Sequence, residues 1–128
     1  MIVLDTHAWI WWSAESPRLS SRARSAIERA DALGICAISC WETAMLVAKG
    51  RLRLDRDALV FVRQALALPR VELLPLTPEV AVAAAAFASE FPGDPADRMI
   101  AATALQAGAP VVSKDARLRS LRELKTIW

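Results

Sequence analysis

The chain has 128 residues, 55% of them hydrophobic, with 16 basic and 14 acidic side chains and a net charge of +2. That length suits one domain with a real core, and the apolar fraction excludes an intrinsically disordered chain. The longest apolar run, Val80–Ala88, is far short of the roughly 18–20 residues that span a bilayer, and Asp5 interrupts the short apolar start, so neither a membrane helix nor a signal peptide is expected.

In chain order, the apolar run Met1–Leu4 predicts a first strand that hands over at Asp5 to the Trp-rich stretch Thr6–Trp12. Ser16-Pro17 opens a helical segment to about Ala30, with Pro17 at its first position and Gly34 as a stop. Ile35–Ile38 is the second strand candidate. Ser39 starts a helix that ends near Gly50, and Asp55 to Leu68 is helical, stopped by Pro69. Val71–Leu74 is the third strand, followed by an Ala-rich helix from Thr77-Pro78-Glu79 to about Glu90. Asp94-Pro95-Ala96-Asp97 opens another helix, closed by Gly108. Pro110–Ser113 is the fourth strand, Asp115 to about Leu121 a short helix, and Thr126–Trp128 a weaker fifth strand. Strands alternating with helices predict an α/β fold: a three-layer α/β/α sandwich on a mostly parallel sheet of four to five strands, one domain over residues 1–128.

Four acids fall at strand–helix junctions: Asp5, Glu42, Asp97 and Asp115. In an open parallel sheet these junctions share the edge where ligands bind. Each acid also has a structural explanation. Ser39-x-x-Glu42 has the spacing of a capping box, Asp94 and Asp115 stand where N-caps stand, and a cap at Asp5 is possible. Helical spacing argues for more than caps at two of them. Ile100, Ala101, Ala104 and Leu105 follow Asp97 on a core-facing stripe, and Met45 and Leu46 follow Glu42 in the same way. An inward carboxylate is costly unless it is paired or holds a metal. With those four and Asp94 in one pocket, nine of the 14 acids oppose the 16 bases, thirteen of which are arginine. The remaining surface is then basic, as a polyanion partner requires; a solvated arginine-rich surface is the plainer reading.

Cys36 and Cys40 read as small buried residues, since the single histidine, His7, is too little to complete a zinc site. His7 is not counted as a general base. Trp9 and Trp12, one helical turn apart, could stack on bases but serve packing or an interface more readily, and Trp11 points elsewhere.

The elements Leu4-Asp5-Thr6-His7, Ser39-x-Trp41-Glu42, Asp94-Pro95-Ala96-Asp97-Arg98 and Val112-Ser113-Lys114-Asp115 together resemble the PIN-domain ribonucleases, and most closely the VapC toxins of bacterial toxin–antitoxin pairs. That resemblance implies Asp5, Glu42, Asp97 and Asp115 as the catalytic quartet. Asp5 and Asp97 would be the direct metal ligands, with Glu42, Asp115 and Asp94 supporting. Thr6 and Ser39 would hold carboxylates or waters, and Arg98, Lys114 and Arg117 would contact RNA phosphates. The cation would be Mg²⁺ or Mn²⁺, hard ions suited to carboxylate oxygens. The implied function is metal-dependent hydrolysis of RNA, leaving 5′-phosphate and 3′-hydroxyl ends. The implied setting is a cytoplasmic homodimer held in check by a cognate antitoxin. A phosphatase, a noncatalytic nucleic-acid binder and a regulatory α/β domain are the competing readings.

Overall fold

A computed structural model describes residues 1–87 and 94–128. Five strands form one parallel sheet: β1 (Ile2–Leu4), β2 (Leu33–Cys36), β3 (Val71–Leu74), β4 (Val111–Val112) and β5 (Thr126–Ile127), in the order β3-β2-β1-β4-β5. The chain steps outward from β1 to β3 and then returns to the other side of β1 for β4. The break in direction between β1 and β4 is the topological switch point at which open α/β sheets bind their ligands.

Alternation along β1 divides the core between two layers. Ile2 and Leu4 point to one face, packing with Trp9, Ile27, Leu33, Ile35 and Phe61. That layer is supplied by α1 (Thr6–Ser13), α2 (Ser21–Arg29) and α4 (Ala58–Leu66). Val3 points to the other face, against Ile100, Ala101 and Ala104 of α6 (Pro95–Ala107) and Leu118 of α7 (Ala116–Ser120). Val80 and Ala84 of α5 (Pro78–Ala86) pack on Ala102 of α6. The expected α/β/α layering is therefore observed, with all five strands parallel.

Several boundaries differ from expectation. The second strand begins at Leu33, not Ile35, and Gly34 lies inside it rather than stopping a helix. A Cβ at Gly34 would stand 2.7 Å from Leu74 Cδ1 and 3.3 Å from Val3 Cγ2, so the residue serves a close approach of neighbouring strands. The helix expected from Pro17 begins at Ser21, because Ser20 is the cap that accepts a hydrogen bond from the Ala23 amide at 3.0 Å. The helix expected from Asp55 likewise begins at Ala58, capped by Asp57. The expected end of the Ala-rich helix near Glu90 lies outside the described residues. Gly108 closes α6 in the left-handed conformation, φ 62°. Cys36 and Cys40 are both free thiols, and burial pushes Cys36 up to about 11, which leaves it unreactive. Among the described residues no helix is long and apolar enough to cross a membrane.

Candidate active site

Parallel strands put all their C-terminal ends on one edge, and the acids collect there. Asp5 follows β1 directly, its amide donating to Val112 O at 3.1 Å. Its Oδ1 accepts from the Ala8 amide at 2.8 Å, making Asp5 the N-cap of α1. Asp115 follows β4 and caps α7, accepting from the Arg117 amide at 2.8 Å. Asp94 caps α6, accepting from the Ala96 amide at 3.0 Å. The crossover helix α6 starts at this same edge before running back to β4, which is why its first-turn residue Asp97 arrives there too.

Glu42 is the exception, and it corrects the capping-box expectation. Its helix, α3 (Ala37–Ala48), starts at Ala37 with Cys36 at the cap position and no side-chain cap bond. Glu42 therefore sits in the second turn and Ser39 inside the helix. The Thr6 hydroxyl donates to Glu42 Oε1, and Thr6 Oγ1 stands 2.9 Å from Ser39 Oγ. Thr6 has one proton to give. With that proton on Glu42, Ser39 donates to Thr6, and the order runs Ser39 to Thr6 to Glu42. Thr6, Ser39 and Glu42 are all buried.

One cavity of about 380 Å³ is walled by Asp5, Glu42, Asp94, Asp97 and Asp115 together with Thr6. Lys114 and Arg117 stand on the same wall, so two of the three expected phosphate contacts reach it, whereas Arg98 is not part of the lining. His7, Trp11 and Arg18 complete it. Ser39 is fully buried behind this lining.

The electrostatics are those of crowded carboxylates. Burial raises Asp5, opposed by the Ser113 hydroxyl and the Ala8 amide. Burial pushes Glu42 up to about 7, and the Asp94 and Asp5 charges add to this while the Thr6 hydroxyl opposes it. Asp97 is pushed up to about 7 by burial and then by Asp115, Asp94 and Glu42, with Arg117 opposing. The Arg117 guanidinium lies 3.4 Å from Asp97 and 3.3 Å from Asp115 and is half-exposed.

Like charges held this close favour either protons or a bound cation. An all-oxygen donor set with raised proton affinities suits a hard divalent ion of the Mg²⁺ or Mn²⁺ kind. The carboxylates line the cavity without converging on a point: among the described residues no three of them form a preformed metal cage. By donor chemistry and charge, the residues present fit such an ion.

Three site residues escaped the sequence reading. Ser113 bonds the Asp5 carboxylate and accepts from the Asp115 amide at 3.0 Å, joining the two acids that flank the switch point. Its signal was its place between Val112 and Asp115. Trp11, expected to point elsewhere, lines the cavity, whereas Trp9 is wholly in the core. Arg18 reaches the cavity from the turn after α1 and carries no local motif.

A PIN domain family profile matches residues 2–124. The chain is 46% identical over 129 aligned residues to Ribonuclease VapC22 of Mycobacterium tuberculosis, covering 99% of this chain and 98% of that one. Among solved structures, it superposes on VapBC2 from Rickettsia felis bound to a DNA fragment from their promoter, with TM-score 0.71 and 16% identity, over 98% of this chain and 97% of that one. FitAcB from Neisseria gonorrhoeae gives TM-score 0.67 and 24% identity, over 98% and 96% respectively. A toxin-antitoxin complex from Klebsiella pneumoniae gives TM-score 0.69 and 16% identity, over 97% and 95%.

Proposed function

Because the chain belongs to the PIN-domain family, we propose that it is a VapC-type ribonuclease, a metal-dependent endoribonuclease acting as the toxin of a toxin–antitoxin pair. The observation that carries the reading is the single cavity walled by five carboxylates on four separate elements of the chain, with Glu42 and Asp97 both raised to about 7. The full-length likeness to a ribonuclease supports the same chemistry.

Asp5 and Asp97 would hold Mg²⁺ or Mn²⁺, with Glu42, Asp115 and Asp94 supporting. Such an ion, when bound, supplies Lewis acidity that polarises a phosphoryl oxygen and acidifies water. The chain's own residues do the remaining work. Thr6, backed by Ser39, fixes Glu42 Oε1, and Ser113 fixes Asp5 beside Asp115. Lys114 and Arg117 hold phosphates of the RNA on either side of the reacting one, with Arg98 assisting from outside the cavity and Arg18 added by the structure. In-line attack by water leaves 5′-phosphate and 3′-hydroxyl ends. Residues 1–128 act as one domain in the cytoplasm, as a homodimer silenced by a cognate antitoxin. Relatives solved in toxin–antitoxin complexes support that last point.

The test is Asp5→Asn. Asparagine caps a helix as well as aspartate does, so α1 stays in place while a metal ligand is lost. Mg²⁺-dependent cleavage of RNA should fall at least about a hundredfold, beyond the usual loss from a residue that only supports a ligand. Cleavage at the parent rate, or RNA binding with no metal-dependent cutting by the parent protein, would sink the proposal.

A further inference from the structure

The cavity has an aromatic wall that the carboxylate chemistry does not use. Trp11 lines the cavity together with His7, its neighbour four residues earlier on the same face of α1. Their ring centroids are 5.6 Å apart, tilted by 51°. Trp11 also meets Trp128, at 5.8 Å and 56°. The indole is half-buried and His7 is exposed. Trp11 is therefore held by two rings and the core while part of it lines the cavity.

Part of the indole serves the fold, since Trp11 and Trp128 both pack against the main core. Ala8, Trp9 and Ile10 already give α1 its buried face, and Trp9 is wholly enclosed. What the indole adds is a rigid π-face beside an acidic centre. From the cap residue Asp5 to Trp11 is six helical residues, about 9 Å along the axis at ~1.5 Å each. Both residues line the one cavity, so the indole stands beside the place where the acids would hold a phosphate. A base offers a π-face whatever its identity, and the cations Arg18, Lys114 and Arg117 on the cavity wall would hold the backbone that carries it.

We infer that Trp11, braced by Trp128 and flanked by His7, is a stacking subsite for the nucleobase next to the scissile phosphate. The inference rests on the ribonuclease reading and adds to it the part of the substrate that lies outside the acid cluster.

The test begins with single-stranded oligoribonucleotides incubated with the protein and Mg²⁺, and the cut position mapped. Abasic riboses then replace one nucleotide at a time on each side of the cut. Affinities are measured by fluorescence anisotropy in EDTA, where no cutting occurs, for the parent protein, Trp11→Leu and Trp11→Phe. One abasic position beside the cut should weaken parent binding by roughly tenfold, within the range of base–aromatic stacking. Trp11→Leu should weaken the intact oligonucleotide by a similar factor, and the two losses should not add. Trp11→Phe keeps a π-face and should keep most of the affinity, which mere packing against Trp128 would not require. As a check that needs no variant, 2-aminopurine at the coupled position should be quenched on binding the parent protein. Strictly additive losses at every position, parent-like binding by Trp11→Leu, or unquenched 2-aminopurine would overturn the subsite. If the parent cuts none of the RNAs in Mg²⁺, the ribonuclease reading itself fails. If it cuts but shows no coupling, the stacking subsite alone fails.

Discussion

Removing a charge from the acid cluster should stabilise the metal-free protein, and Asp97→Asn measures by how much. Burial and the facing Asp115, Asp94 and Glu42 carboxylates push Asp97 from 3.8 up to about 7. The folded protein thus holds this proton more tightly than the unfolded chain does. Its contribution to stability is complete below the unfolded value and is lost as pH rises through about 7. At about 1.4 kcal/mol per tenfold change in proton affinity, that interval sets a ceiling of roughly 4 kcal/mol. The value of about 7 already includes the opposing Arg117; the side chain is 14% exposed, and partial solvation and relaxation around it lower the effect to about 2 kcal/mol. Asparagine keeps the shape and drops the charge. In EDTA at about pH 8, Asp97→Asn should be more stable than the parent by about 2 kcal/mol, and the gap should close toward about pH 4. Urea unfolding followed by tryptophan fluorescence across a pH series reads both ends. Added Mg²⁺ should reverse the order, since a ligand at a hundredfold excess over its Kd stabilises the protein that binds it by about 2.7 kcal/mol. A variant no more stable than the parent at alkaline pH, or a pH-independent difference, would refute the view that Asp97 is held charged against its neighbours.

Two other perturbations probe the frame of the site. Thr6→Val removes the hydroxyl that draws Glu42 down from a still higher value, so the acidic limb of the pH–rate profile in Mg²⁺ should move to higher pH. The rate should fall about 10- to 100-fold, the usual loss when a supporting contact goes; an unmoved limb would show that Thr6 does not control Glu42. Gly34→Ala should cost about 1–2 kcal/mol in chemical denaturation, because its Cβ meets Leu74 Cδ1 at 2.7 Å, the far end of a side chain that can yield. Combining it with Leu74→Val should recover part of the loss, and an additive result would place the strain elsewhere.

The layered parallel sheet was legible in the sequence because strand and helix patterns are local, and the three middle apolar runs each sat between helix signals. The convergence of Asp5 and Asp115 followed from topology, since both follow strands that end on one edge, while Asp97 and Glu42 reach it from the first turn of α6 and the second turn of α3. What failed was local spacing wherever a distant residue decided the outcome. Gly34 read as a helix stop, yet its role is set by Leu74 and Val3 on the neighbouring strands. Ser39-x-x-Glu42 had the spacing of a capping box, yet the helix starts earlier and both side chains engage Thr6, more than thirty residues upstream. Asp5, where the spacing made a cap only possible, is one. For Trp11, helical periodicity separated it from Trp9 and Trp12, but the cavity on its side exists only once α1 is docked beside the acids.

Three of the cavity aspartates, Asp5, Asp94 and Asp115, spend one oxygen on a backbone amide of the helix they open. Asparagine can make the same bond. Every aspartate codon becomes an asparagine codon by a single G-to-A transition. If these aspartates carry the proposed activity, a lineage burdened by it could shed it in one genetic step while the helices keep their starts. Such a product would keep its helix starts and the fold they open, so inactivity at this locus need not look like decay.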